Sequence, residues 1–204
     1  IIGNSGQARE LLQYLQEEQI QPIFIALGDK YLDGSPAQID ILQPTDEQKD
    51  IPVVIAVGSP ALKRDMASQW PGSRFETITS ARSYIATTAR IRPGSVIAPF
   101  ASVGPDTDIG EHVLVNISAS VAHDCAVGSY ATISPGVNIG GGVTIGEGCF
   151  IGIGATIKNN VTVASGVVIG AGAVVVKDII ESNTVVAGVP AKTIKRNEDW
   201  LYAI

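Results

Sequence analysis

Histidine, cysteine and positive charge are all scarce in this chain, and each shortage excludes something. Two histidines cannot supply the three imidazoles of a catalytic zinc site, so no metal is expected. Fourteen basic against twenty acidic residues leave a net charge of −6, which argues against a nucleic-acid partner. No apolar run is long enough to span a bilayer, and the start carries no signal-peptide pattern. The chain opens on Ile1-Ile2, in mid-strand, so a residue or two is expected upstream. Cys125 and Cys149 are the whole cysteine content. They read as small, buried, reduced residues of a cytoplasmic protein rather than a disulfide. Charged helix formers are sparse after residue 85, where glycine takes their place.

A period of six fills that second part. Every sixth residue from Ile85 to Val175, sixteen positions in one unbroken phase, is Ile or Val. The fifth place of each hexad is small or narrow (Ala89, Ser95, Ala101, Thr107 and onward), and only Ile179 is larger. A fixed short period marks a solenoid, whose units bury their apolar face only by stacking on one another. One aliphatic plug and one small residue per hexad predict a triangular parallel β-helix. Each hexad forms one side, and three hexads close a coil. Coils about 4.8 Å apart give five of them a height of roughly 25 Å. The two cysteines, one coil plus one side apart, do not stack directly.

Residues 1–78 have another rhythm. Strand-like runs at Ile1-Ile2, Pro22–Leu27 and Ile51–Gly58 alternate with a helical run through Leu11, Leu12 and Leu15 and a helix from about Ala61 to Trp70, capped by Ser59-Pro60. That alternation predicts a small Rossmann-like α/β domain ahead of a β-helix domain spanning 79–204. The turn Gly3-x-Ser5-Gly6-x-Ala8 sits before a helix N-terminus. It is either a tight connection or a phosphate cradle.

His123 falls on the third place of its hexad, outward and near a corner. Residues one coil apart share an edge, so Pro105 lies below it and Gly141, Asn159 and Lys177 lie above. Gly141 belongs to the run Gly140-Gly141-Gly142. A histidine beside a stretch without side chains has room for a thioester and exposed amides for a developing oxyanion. Its near-neutral pKa suits a base for an attacking amine. The bland alternative is a solvated corner histidine. His112 has Tyr130 one coil above it and reads as a surface residue.

These features resemble the hexapeptide-repeat acyltransferases, left-handed parallel β-helices with the motif aliphatic–Gly–x–x–small–x. Val127-Gly128, Ile139-Gly140, Ile145-Gly146, Ile151-Gly152 and Ile169-Gly170 match it. The whole chain is similar to the bacterial nucleotide-sugar N-acetyltransferases of the bacillosamine and perosamine type and their sialic acid O-acetyltransferase relatives. The opening Gly-x-Ser-Gly-x-Ala, Val57-Gly58-Ser59 with Arg64, Asn116–Asp124 and Gly188–Ile194 carry the likeness. It implies a left-handed prism, acetyl-CoA as co-substrate, and a homotrimer whose sites lie between subunits.

The resemblance also implies individual roles. His123 is the base, Asp124 orients it, Asn116 lies near the acetyl group and the Gly141 amide faces the thioester carbonyl. Gly152, Ile153 and Ala171 line the pantetheine arm. By their charge rather than by the resemblance, Lys177 on the His123 edge and Lys192, Lys195 and Arg196 in the tail are either solvated or placed to meet CoA phosphates. The nucleotide sugar is expected near Gly3, Ser5, Gly6, Gln7, Asp29, Lys30 and Gly58. The chain departs from the family at Thr132 and Gln7, where histidines are common, and at Gly28-Asp29-Lys30, where an acidic pair is usual. Glu198–Tyr202, with two aromatics, is expected to cap the last coil.

The expected function is therefore acetyl transfer to the amine of a nucleotide-linked amino-dideoxy sugar. Acetylation of a sugar hydroxyl, as in the sialic acid enzymes, or a non-catalytic solenoid are the alternatives. Serine and maltose acetyltransferases have a loop that interrupts the hexads, and none does here. Nucleotidyltransferases fused to such prisms need a longer first domain. A γ-type carbonic anhydrase needs a third histidine.

Overall fold

The computed structural model describes residues 1–3, 6–25, 41–42 and 49–199. Its main body is a triangular parallel β-solenoid, built as the period of six predicts. Seventeen two-residue strands run from β3 (Ile78–Thr79) to β19 (Val174–Val175) without a break in spacing. Strands of successive coils pair in parallel, three hexads apart, as Ser120-Val121 does with Asn138-Ile139. The ladder starts one hexad earlier than the aliphatic series, because Ile78-Thr79 already pairs with Val96-Ile97. Strand β20 (Thr184–Ala187) and the antiparallel β21 (Lys192–Arg196) complete the set, giving faces of six, five and eight strands.

Two separate constraints shape the hexad. Its fourth place turns the corner: from Gly94 to Gly172 all fourteen such residues have φ between +55° and +77°. Glycine, Asn, Asp and Ser are common there, as the left-handed region favours, but Phe100, His112 and Tyr130 occupy it too. The glycine after the aliphatic residue has another cause. A Cβ on Gly128 would lie 2.5 Å from the Glu147 nitrogen in the coil above, so glycine lets successive coils approach.

Inside, the aliphatic and small places form one core running from Ile97 to Val186. Where the fifth place is polar, it bonds across coils. The Ser95 and Thr107 hydroxyls donate to the carbonyls of Gly110 and Ala122, each at 2.7 Å. The thiols of Cys125 and Cys149 donate likewise to Gly140 and Ala164, at 3.3 and 3.1 Å. Both cysteines are free and buried. Burial pushes the Cys149 thiol up to about 12.

The phase slips at the end of the prism. Ile179 pairs with Val163, where a full coil would have set it on Val161, so it is an aliphatic plug rather than an oversized fifth-place residue. Next, β20 meets Val168-Ile169 one place short of a full coil, and the β20–β21 hairpin ends the eight-stranded face. Of the expected cap, residues 200–202 lie outside the described residues.

The amino-terminal residues lean on that same face. Helix α1 (Gly6–Glu17) buries Ala8, Leu11 and Leu15 against Val54 and Ala56 on one side and Val96, Ala98 and Leu114 of the prism on the other. The alternate residues Val53, Ile55 and Val57 meet Met66 of α2 (Pro60–Gln69) and Trp70, which caps its C-terminus. Strand periodicity thus divides the two helices between opposite sides. Ser59 caps α2, accepting from the Leu62 amide at 3.4 Å, with Pro60 in the first turn. Of the expected three-stranded sheet the structure has parallel bridges Ile2–Ile55 and Val53–Phe75, and a parallel pair of β1 (Phe24–Ile25) and β2 (Ile41–Leu42). The last was not marked in the sequence. Among the described residues the pairing is too sparse to define a Rossmann sheet.

Candidate active site

His123 stands on the edge between the six- and five-stranded faces, in the turn between Val121 and Ala126. Its side chain is exposed, and its Nδ1 lies 2.6 Å from Asp124 Oδ2. Asp124 takes the left-handed corner position (φ +57°), and the ring and carboxylate meet over one peptide. The other ring edge rests on Gly141, where a Cβ would lie 2.6 Å from both Cε1 and Nε2. Gly141 is therefore the floor on which the imidazole sits. Its N–H donates to no group among the described residues, whereas the Gly142 N–H is taken by the His123 carbonyl at 2.9 Å. The site thus combines an imidazole held at Nδ1 by a carboxylate with an amide one coil away that has no partner among the described residues.

A cleft of about 340 Å³ opens elsewhere, where the amino-terminal residues meet the eight-stranded face. Gln7, Gly58, Asn116, Gly152, Ile153 and Ala171 all line it. Residues assigned from sequence to nucleotide sugar, acetyl group and CoA thus share one surface. Asn116 is buried and donates from Nδ2 to Gln7 Oε1 at 3.2 Å. The Gln7 Nε2 is buried without a partner among the described residues. Space is open around the Gly58 Cα, with nothing within 4 Å of an added Cβ. Asn116 occupies the edge between the eight- and six-stranded faces, so within one chain it does not meet His123 and Gly141.

The remaining expected residues scatter. Lys177 and Lys192 line a groove of about 520 Å³ between the last turn of the prism and the terminal hairpin, together with Asp178 and Glu181. Gly6 is exposed at the start of α1. Gly3 is buried, with φ +114° and room for a Cβ only 3.1 Å from Val57, so packing demands that glycine. Ser5, Asp29 and Lys30 lie outside the described residues.

His112 is not a surface residue. It is 4 % exposed, packed over Gly94 one coil below, stacked on Tyr130 (5.1 Å between centroids, 7° between planes) and edge-on to Phe75 at 4.5 Å. Glycine below rather than above makes its space, and Phe75 of the amino-terminal region covers it. Burial, and then the nearby Lys63, lower its pKa to about 4. Lys63 itself went unnoticed in the sequence, where a lysine on a helix reads as solvated. It is 2 % exposed and bonds into the prism beside the cleft.

Residues 142–177 match the bacterial transferase hexapeptide (six repeats) family. The solved acetyltransferase domain of PglB from Neisseria gonorrhoeae FA1090 is 29% identical, over 95% of this chain and 97% of that one, with a TM-score of 0.83. WeeI from Acinetobacter baumannii AYE is 26% identical over the same shares, also at 0.83. Over nearly its whole length the chain is thus similar in fold to acetyltransferases built on hexapeptide repeats. A GDP-perosamine N-acetyl transferase from Caulobacter crescentus, solved with CoA and GDP-perosamine, shares the fold at 23% identity, 95% of each chain and a TM-score of 0.84. No curated protein sequence matches. Among the described residues of this hexapeptide-repeat protein, no helix is long and apolar enough to cross a membrane.

Proposed function

We propose that this protein is a cytoplasmic, acetyl-CoA-dependent N-acetyltransferase acting on the amino group of a nucleotide-linked amino-dideoxy sugar. The observation that carries the reading is His123, anchored by Asp124 at 2.6 Å and seated on Gly141. His123 Nε2 takes a proton from the sugar amine as its nitrogen attacks the thioester carbonyl. The Gly141 N–H donates to the oxygen on which negative charge collects. Collapse forms the amide, breaks the C–S bond and returns the proton from imidazolium to the departing thiolate. Asp124 keeps Nδ1 protonated and stabilises the imidazolium, so that Nε2 is the accepting nitrogen.

A homotrimer completes the site. The Asn116 edge is apolar at its corners, with Ile117, Pro135, Ile153 and Ala171 one coil apart and Ile153 62 % exposed. The edge that holds His123 carries Asn159 and Lys177 instead. Setting one copy's apolar edge beside the next copy's polar edge brings Asn116 toward His123 and leaves a channel between them. Gly152, Ile153 and Ala171 then face the pantetheine arm, and Lys177 and Lys192 face the phosphates. The nucleotide lies toward Gly6, Gln7 and Gly58, where Gln7 Nε2 has a hydrogen bond to give. Complexes of relatives with acetyl coenzyme A, and with CoA and GDP-perosamine, support this pairing of substrates.

The test is CoA thiol release with UDP-, GDP- and dTDP-linked 4-amino-4,6-dideoxy sugars, with sialic acid alongside. His123→Ala is expected to lower turnover about 10²–10⁴-fold while the protein stays folded. Near-normal turnover in that variant would overturn the role of His123, and release with sialic acid alone would overturn N-acetylation.

A further inference from the structure

Lys63 lies on the inner side of α2, 2 % exposed, against the prism. Its Nζ donates to the Ala131 carbonyl and to Thr132 Oγ1, each at 2.9 Å. The Thr132 hydroxyl in turn donates to the Gly58 carbonyl at 2.7 Å. This chain of bonds joins helix, prism strand and the turn before α2, and it ends on two residues that line the cleft, Thr132 and Gly58. No carboxylate pairs with Lys63 among the described residues.

Stability does not explain this arrangement. A buried amine without a counter-ion is costly, and an apolar side chain of similar length generally packs such a site at lower free energy. Burial drives the Lys63 pKa well below its ordinary value, toward the neutral amine. Gly58, Gln7 and Asn116 form one wall of the cleft. Among the side-chain bonds of the described residues, only the Lys63–Thr132 chain ties Gly58 to the prism.

We infer that Lys63 is a positioning residue for the acceptor half of the site, holding Thr132 and through it the Gly58 turn at the spacing the sugar nucleotide requires. The inference rests on the function proposed above for what binds there. It assigns Thr132 to the wall: its hydroxyl proton is already given to Gly58, so it does not donate to a ligand.

The variants are Lys63→Met, which keeps length and apolar bulk, Thr132→Val, their double, and Thr132→Ser, which keeps the hydroxyl. Lys63→Met and Thr132→Val are each expected to raise the KM for the amino-sugar nucleotide about tenfold, with kcat and the KM for acetyl-CoA within about twofold of wild type. The double variant is expected to be no worse than either single one, and Thr132→Ser to behave as wild type. An unchanged sugar-nucleotide KM in Lys63→Met, or parallel rises in both KM values with a lowered Tm, would overturn the inference. Amide exchange without ligand gives a second readout, in which the amides of Leu62 and Thr132, bonded to Ser59 and Cys149, exchange faster in Lys63→Met while the distant coils do not. If the wild-type protein acetylates no amino sugar, the proposed function fails, and the exchange result alone decides whether Lys63 holds the turn.

Discussion

Replacing Gly141 with alanine isolates the placement of the base from everything else. The added Cβ would lie 2.6 Å from Cε1 and Nε2 of His123, against an ordinary carbon contact of about 3.5–4.0 Å. The ring must therefore shift by roughly 1 Å. It yields readily, because the His123 side chain is exposed. Gly141 is not among the left-handed corners, so alanine fits its backbone and stiffens the unfolded chain, worth about 0.4–1 kcal/mol. Folding stability should hold or rise slightly. The backbone N–H is retained, so the oxyanion donor survives. A base displaced by about 1 Å costs on the order of 10²-fold in rate, or ~2.7 kcal/mol of barrier. Thiol release measures the rate and guanidinium unfolding the stability. In a His123→Ala background the same substitution should add little, because the group it displaces is gone. Wild-type turnover in Gly141→Ala, or an undiminished loss in the His123→Ala background, would refute the reasoning.

Two further substitutions test the fold. Ser95 is fully buried, donates to Gly110 at 2.7 Å and accepts from the Val113 amide at 2.9 Å. Ser95→Ala strands both groups and should cost about 1–3 kcal/mol in urea unfolding, and a cost near zero would mean the coils close without the bond. His112 has a folded pKa of about 4 against 6.5 for the free side chain. The unfolded chain then binds the proton first, so stability is full above about pH 6.5 and falls toward pH 4. His112→Phe should remove on the order of 2–3 kcal/mol of that acid loss, since Phe100 and Tyr130 show that an aromatic fits the corner. Equal acid sensitivity in both proteins would place the titrating group elsewhere.

Much of the site was legible along an edge because the stacking of equal coils is linear in sequence. His123 next to Gly141 of the following coil follows from counting, and so does Lys177 further up. His112 misled because its glycine, Gly94, lies one coil below and its cover, Phe75, comes from outside the repeat. Lys63 could not be found from spacing, since its partners Ala131 and Thr132 are remote in the chain and on another element. Ile179 looked out of place only because the hexad phase was carried past the point where the coil shortens.

What the sequence alone determined is the prism and the order of residues on each edge. A short strand and a left-handed corner in every hexad leave the chain little freedom, and burial of the aliphatic place sets the register. Tertiary structure decided which edges and elements meet. Leaning α1 and α2 on the eight-stranded face gathered Gln7, Gly58 and Asn116 into one cleft and set His123 on a different edge. The reason is physical: the repeat makes three similar edges. The apolar side of α1 against Val96, Ala98 and Leu114, the Lys63–Thr132 bond and Phe75 over His112 select the face that is covered.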